Sequence, residues 1–356
     1  MEQKQAPKIT ELLISDKEKT KLRGKILSSV YLYKRKKQVQ YFAVAASVAM
    51  LFSVVIFKSN QEKPIDQFIK MAEEKNAKTI KNIELILADK EKIDIKEKNS
   101  IISYSKTGKK LIVDATTFLQ KKEPKTSKNN KTAYNTLIVP YGKRSKLTLS
   151  DGSVVWLNSG SKLVFPVRFN HQMSKREVYL EGEAVFEITH NKKQPFRVLC
   201  KDQKITVLGT VFNVSNYKDD DVIKTTLKSG SVEISYKKNV FTQKTIKITP
   251  NIMAIYNKNG NTIQTKKVDI IPQFSWRDGI LIFKNDNLNF IMKKLSRYYN
   301  VAIEINDTDL ANQTFSGYLD LKDSLEKVIQ IIKVTSNFSY TQKDKKITII
   351  KTQKYE

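Results

Sequence analysis

The sequence predicts a mainly β protein with an α+β C-terminal part, carried on a single transmembrane helix. Three patterns predict this. Seventeen residues, Tyr41–Phe57, run without a charge. From 137 to 272, short strands alternate with regular turns, the signature of a sandwich, a barrel or a β-solenoid. After Pro272 a strand–helix–strand pattern occurs twice, 37 residues apart.

The apolar run YFAVAASVAMLFSVVIF would reach roughly 26 Å as a helix, close to the lower limit for a bilayer core. The basic cluster Lys34-Arg35-Lys36-Lys37 precedes it and should stay in the cytoplasm, close to anionic lipid headgroups. A cleaved signal peptide fits less well, because the segment before the run is too long and Phe57-Lys58-Ser59-Asn60 makes a poor cleavage site. A buried helix of a soluble domain should be amphipathic, whereas this run is apolar all round.

On the N-terminal side, Ile9, Leu12 and Leu13, then Leu22, Ile26, Leu27 and Val30, follow helical spacing, with Asp16 placed to cap a second helix. Two such short helices are marginal alone. Their apolar faces make Leu12, Leu13, Leu22, Ile26 and Leu27 candidate docking residues, the alternative being an unstructured tail. Beyond the apolar run, Ile65, Phe68, Ile69 and Ala72 predict one helix with a polar back face.

Strand alternation begins at Ile83. Leu85-Ile86-Leu87-Ala88-Asp89 returns 62 residues later as Leu147-Thr148-Leu149-Ser150-Asp151, and Ile93, Ile95 and Ile101 match Val155, Leu157 and Leu163. Each copy reads as strand, Asp-initiated turn, strand. Residues 121–130 are polar apart from Pro124 and form a linker or long loop. Further on, Val178, Leu180, Ala184, Phe186 and Ile188 share one face of a strand, and Glu177, Tyr179, Glu181, Glu183 and Glu187 share the other. Gly182 marks a bend, and Gly209 and Gly230 fit bulges or tight corners. In the C-terminal part, Leu288, Ile291, Met292, Leu295 and Tyr298 define a helix, and Leu325, Val328, Ile329 and Ile332 define its repeat. Val301 and Ile303 match Phe338 and Tyr340, so 280–350 reads as two β-α-β halves.

Composition argues against several chemistries. The net charge is +28, but Lys is spread along the chain without a basic segment interleaved with aromatics, so direct nucleic-acid binding is not expected. The charge serves solubility. Cys200 is the only cysteine and alternates with Phe196 and Val198 on a strand face, as a buried apolar side chain does. His171 and His190 sit in polar turns without Cys or His neighbours at ligand spacing, which excludes a recognisable zinc site. No nucleophile elbow, phosphate loop or zinc-protease motif is present. The sequence predicts no enzyme, no cofactor and no metal.

The segments NTLIVPYGKRSKLTLSDGSVVWLNSGSKLVFPVRF (135–169), REVYLEGEAVFEITHN (176–191), QPFRV (194–198), ITVLGTVFNVSNY (205–217), KSGSVEI (228–234) and FSWRDG (274–279) occur in an order that resembles the FecR family of anti-sigma regulators, in its Bacteroidetes form. Within that resemblance Asp151, Gly152, Trp156, Gly182 and Gly209 are scaffold positions without catalytic roles. Residues 280–350 are similar to the family's C-terminal domain, which is like the secretin and TonB short N-terminal (STN) domain.

The resemblance implies a division into a cytoplasmic sigma-binding tail (1–40), a transmembrane helix (41–57), a periplasmic stalk with the first β-repeat and linker (58–130), the FecR β-domain (131–272) and the STN-like domain (273–351). It implies an inner-membrane protein whose tail holds an extracytoplasmic-function sigma factor. Its outer domains would sense the signalling domain of a TonB-dependent transporter, with regulatory proteases relaying the signal. Uptake of iron or a glycan would be the process regulated. Many relatives have a longer cytoplasmic region than the roughly forty residues here. Phe315, Gly317 and Tyr318 are the candidate transporter contacts, against the plainer reading of an ordinary strand start. A second reading is a membrane-anchored β-repeat protein that binds glycan or peptidoglycan. The apolar helical pattern in 8–33 separates the two, because a plain anchor has no use for it.

Overall fold

Ser15 opens the first helix with a reciprocal cap. Its hydroxyl accepts from the Lys17 N–H at 3.3 Å, and its own N–H donates to the Glu18 carboxylate at 3.2 Å. From there one helix, α1 (Asp16–Ser59), runs without a break. The second of the two short helices expected across 8–33 is not a separate element: Leu22, Ile26 and Leu27 lie on the helix that continues into the apolar run, and Ser15 rather than Asp16 is the cap. The chain offers no proline between Asp16 and Ser59 to end it. This is a computed structural model, and it describes residues 15–59, 64–119, 132–170, 173–238, 242–336 and 338–352. Leu12, Leu13, the 121–130 linker and His171 lie outside the described residues. Among the described residues no helix is long and apolar enough to cross a membrane. The backbone of the expected span, Tyr41–Phe57, is helical, and the side chains of its last four residues are outside the described set.

The chain divides into two units, Met1–Lys63 and Pro64–Glu356. The second is built on a two-sheet β-sandwich. Its strands are β1 (Ile83–Ile86), β2 (Lys92–Ile95), β3 (Asn99–Tyr104), β4 (Lys110–Val113), β5 (Thr116–Leu119), β6 (Tyr134–Val139), β7 (Arg144–Thr148), β8 (Val154–Leu157), β9 (Ser161–Pro166), β10 (Arg176–Glu187), β11 (Phe196–Leu199), β12 (Gln203–Val207), β13 (Val211–Asn216), β14 (Val222–Ser229), β15 (Val232–Lys237), β16 (Gln243–Ile248), β17 (Ile252–Asn257) and β18 (Thr262–Lys267). The first sheet runs β2-β1-β6-β9-β10-β11-β12-β15-β16. The second runs β5-β4-β3-β7-β8-β10-β13-β14-β17-β18. Strand β10 belongs to both and changes sheet at Gly182. Between the sheets lies one core that includes Leu85, Ile102, Leu147, Phe186, Phe196 and Phe212, with Phe186 and Phe212 stacked at 5.1 Å.

The 62-residue repeat is visible in the turns. Leu87 and Leu149 each close the same loop, and Asp89 and Asp151 each accept from the backbone N–H two residues on, at 3.1 and 3.0 Å. Lys90 takes the positive φ that Gly152 takes in the second copy, 72° against 83°. The copies enter opposite sheets: the β1–β2 hairpin lies in the first sheet and β3 in the second, whereas β7–β8 lies in the second and β9 in the first. Because β1 pairs with β6 and β3 with β7, residues 83–119 are part of the sandwich and not of a separate stalk. Helix α2 (Pro64–Glu74) covers the outer face of the first sheet. It buries Ile65 and Ala72 against Tyr134, Val164 and Tyr179, and its Glu73 accepts from the Tyr179 hydroxyl at 2.9 Å.

After β18 the chain makes α3 (Ile271–Phe274) and a 3-10 turn (Ser275–Asp278), then β19 (Ile280–Asn287), α4 (Leu288–Tyr299), β20 (Ala302–Ile305), α5 (Thr308–Asn312), β21 (Thr314–Asp320), α6 (Leu325–Val334), β22 (Phe338–Lys343) and β23 (Lys346–Lys351). Asn287 and Ser324 cap α4 and α6 by accepting from the backbone three residues on. The first strands of the two halves, β19 and β21, pair with each other, and β20 and β22 flank β23. Leu288, Ile291, Leu295, Val328, Ile329 and Ile347 fill a second core.

Candidate functional site

Most of the polar face of β10 is covered, although Glu187 at its end keeps a 40% exposed side chain. Glu177, Tyr179 and Glu183 are all buried, because α2 covers this face in the first sheet and the α+β domain covers it in the second. The second sheet's outer face carries two rows of neighbouring residues. Lys146, Trp156, Val185, Asn213 and Thr226 form one. Asn158, Glu183, Ser215 and Lys224 form the other.

The FSWRDG segment docks on the first row. Phe274 and Trp276 pack on Val185, with Trp156 and Val211 beside them. Arg277 donates to Glu187 at 2.6 Å and lies 5.7 Å from the Trp156 ring centre, and Lys146 covers that ring at 4.7 Å. Arg144 reaches across from β7, donating to the Trp276 carbonyl at 2.7 Å and to the Tyr298 hydroxyl at 3.3 Å. The Gly142 N–H donates to the Arg297 carbonyl at 2.9 Å.

Arg297, in the last turn of α4, is the centre of the other contact. Its guanidinium stacks 3.7 Å from the Tyr217 ring centre and donates to Asp219 at 2.9 Å and Asp220 at 2.8 Å. Lys293 adds a 3.2 Å bond to Asp220. Burial works against the charge on Arg297, but Tyr217 and the two carboxylates outweigh it and raise its pKa. Burial likewise works against the Asp220 carboxylate, and Arg297 and Lys293 reverse that and hold it below the ordinary range. Tyr217 is buried, its hydroxyl donates to the Ser159 carbonyl at 2.9 Å, and burial pushes its pKa well up.

A cavity of about 520 Å³ lies between these two contacts, floored by the second sheet and walled by α4, β19 and Trp276. Glu183 lies in its floor, 3% exposed, accepting from the Asn158 amide at 2.9 Å and the Asn213 amide at 3.2 Å.

The predicted scaffold residues serve the sandwich, and two of them do more. Asp151 closes its turn through Ser153 and also accepts from the buried Arg176 at 2.6 Å, while Arg176 donates further to the Thr189 and Gln194 carbonyls. Trp156 is a docking residue for the C-terminal part. Gly182 has φ +97°, and a Cβ there would meet Ser161 at 2.5 Å. Gly209 needs no special φ; a Cβ there would meet His190 at 2.5 Å. Gly152 lies in the Asp151 turn. Leu22, Ile26 and Leu27 are exposed on α1.

Phe315, Gly317 and Tyr318 lie on β21, but not on one surface. Phe315 packs into the domain core and Gly317 lies against Phe283, whereas Tyr318 is 75% exposed. Sequence reasoning missed Arg297, Asp219, Asp220, Arg144 and the cavity position of Glu183. The run Asp219-Asp220-Asp221 looks like a turn, and Arg297 lies off the apolar stripe of its helix, so neither carries a signal of the other.

The FecR protein family pattern matches residues 135–233, and the FecR C-terminal pattern matches 280–349. None of the curated proteins matches the chain. Two crystal structures of a candidate anti-sigma factor from Parabacteroides distasonis ATCC 8503, at 1.65 and 2.50 Å, are similar to it at 28% identity and a TM-score of 0.56. The match covers 61% of this chain and 99% of that chain for the first, and 62% and 100% for the second. The matched patterns fall on the sandwich and on the α+β domain that docks against it, in the order expected from the sequence, and residues 135–233 and 280–349 are FecR-family segments.

Proposed function

We propose that this protein is a single-pass inner-membrane anti-sigma factor that regulates an extracytoplasmic-function sigma factor in response to a TonB-dependent transporter. The observation that carries this reading is the pair of FecR family matches on one continuous unit, together with the likeness to the P. distasonis candidate anti-sigma factor.

The supports for each part differ. For the anchor they are the uncharged run from Tyr41, the basic cluster before it, and the exposure of Tyr41, Phe42, Val44, Met50, Leu51 and Phe52 along α1. A helix surface this apolar and uncovered suits lipid better than water. For sigma-factor contact, Leu22, Ile26 and Leu27 are free on the cytoplasmic side of that run, with Leu12 and Leu13 upstream. For the transporter, β21 pairs only with β19 among the described residues, so its second edge is open to an added strand, and Tyr318 projects beside it. The STN likeness of the C-terminal domain and the relay by proteolysis belong to the same proposal.

The test is capture with residues 1–40. Bound to a support, this segment retains a purified extracytoplasmic-function sigma factor, and Leu22→Asp with Ile26→Asp abolishes retention. Retention that ignores both substitutions would overturn the assignment of the tail. In parallel, Tyr318→Lys weakens co-purification of the full chain with a transporter signalling domain, and unchanged co-purification would remove β21 from the proposal.

A further inference from the structure

Three groups around the interdomain cavity have unspent bonding capacity. Glu183 is a buried carboxylate held only by two neutral amides, and among the described residues no cation pairs with it. Asn213, 1% exposed, gives its amide N–H to Glu183 and leaves its Oδ1 without a partner among the described residues. Trp276 lines the cavity, and its buried indole N–H also has no partner among the described residues. Buried polar groups left in this state are costly unless something else satisfies them.

A second charge lies across the floor. Lys224 has no ion pair among the described residues and lies 4.3 Å from the Phe290 ring centre. Burial, then the nearby Lys294, lowers its pKa against the opposing pull of Asp286 and Asp220. Glu183 and Lys224 occupy one row with Ser215 between them, so their backbones lie two strand spacings apart, about 10 Å.

We propose that this cavity binds a short linear peptide of two or three residues, with its terminal ammonium on Glu183 and Asn213 and its terminal carboxylate toward Lys224. An ammonium has three donors and suits a carboxylate plus an amide oxygen. An extended chain covers about 3.5 Å per residue, so two or three residues match the span and one does not. The volume falls within the range of small-ligand sites. The floor belongs to the sandwich and one wall to α4, so an occupant ties the two domains together and stabilises their docking by linkage. This inference goes beyond the anti-sigma reading, and its test needs neither sigma factor nor transporter.

The test is calorimetric titration of the full-length chain with alanine, alanyl-alanine and trialanine. Two half-blocked peptides, N-acetyl-alanyl-alanine and alanyl-alanine amide, serve as controls. The expected result is saturable one-to-one binding of the di- or tripeptide, with alanine and each half-blocked form weaker by about tenfold or more, the worth of one charge-assisted contact. Glu183→Gln should erase the penalty for acetylation and keep the penalty for amidation, and Lys224→Met should do the reverse. Both variants are checked for an unchanged thermal transition without peptide. Absence of binding at millimolar peptide would overturn the proposal, as would binding indifferent to blocking or to both substitutions.

Discussion

Asp151 and Arg176 show how a turn residue can hold a sandwich together. The Arg176 side chain is 1% exposed, donates to Asp151 and two backbone carbonyls, and lies over the Phe196 ring at 5.4 Å. Removing the carboxylate leaves a buried cation with only neutral acceptors, which costs about 3–5 kcal/mol where it has been measured. Asp151→Ala should therefore lower the stability of the chain by about 3 kcal/mol in urea denaturation, well above the loss of a turn hydrogen bond of about 1 kcal/mol. Gly182 fails for a different reason. It is where β10 leaves one sheet for the other, and a side chain there meets both a positive φ and the Ser161 backbone at 2.6 Å. Gly182→Ala should cost about 2 kcal/mol or more, read as a lower thermal midpoint. The bend at Gly182 is legible in the sequence, as a glycine interrupting a period-2 strand. Arg176 as the partner of Asp151 is not, because 24 residues, including strands β8 and β9, separate them.

At the level of elements, α4 is the piece that joins the two domains. Its apolar stripe, Leu288, Ile291, Met292, Leu295 and Tyr298, is spent on its own domain's core, so the contact to the sandwich is made by Lys293 and Arg297 off the stripe, with the Tyr298 hydroxyl at its end accepting from Arg144. Periodicity finds the stripe and says nothing of the remainder, which is why the helix was legible and its docking role was not. Arg297→Met removes the fork to Asp219 and Asp220 and should loosen the C-terminal domain by about 3 kcal/mol, seen as faster limited proteolysis of the α3–β19 connection. The pH dependence has a defined sign. Asp220 is depressed in the folded state, so its contribution is fully present above the ordinary carboxylate value near pH 4 and is lost as pH falls through the lower folded value. Acid titration of the thermal midpoint should show that decline in the parent chain. In Arg297→Met burial dominates Asp220, and the decline should flatten or reverse.

On the scale of the whole molecule, the open question from the sequence was where the first β-repeat belongs. Polar residues 121–130 separate it from the matched FecR segment, and this looks like a boundary between a stalk and a domain. Sheet pairing decides otherwise, through contacts far apart in the chain. Strand β1 lies between β2 and β6, and β3 pairs in parallel with β7, while Ile83, Leu85, Ile102 and Leu111 are fully buried in the shared core. The repeat itself was legible because its Asp turn is local. That its two copies enter opposite sheets was not, because strand alternation does not say which sheet a strand joins. Deleting β1 to β5 would uncover the edges of β6 and β7 and open the apolar core between the sheets. Unpaired edges and an exposed core favour aggregation over folding. A chain beginning at Pro64 should therefore give a cooperative urea transition and a protease-resistant core, and a chain beginning at Lys131 should give neither, although it retains both matched FecR segments in full. A cooperative transition in the shorter chain would mean that β6 to β18 close a core without the first repeat, and the 83–119 strands would then be an addition to the sandwich and not a part of its foundation.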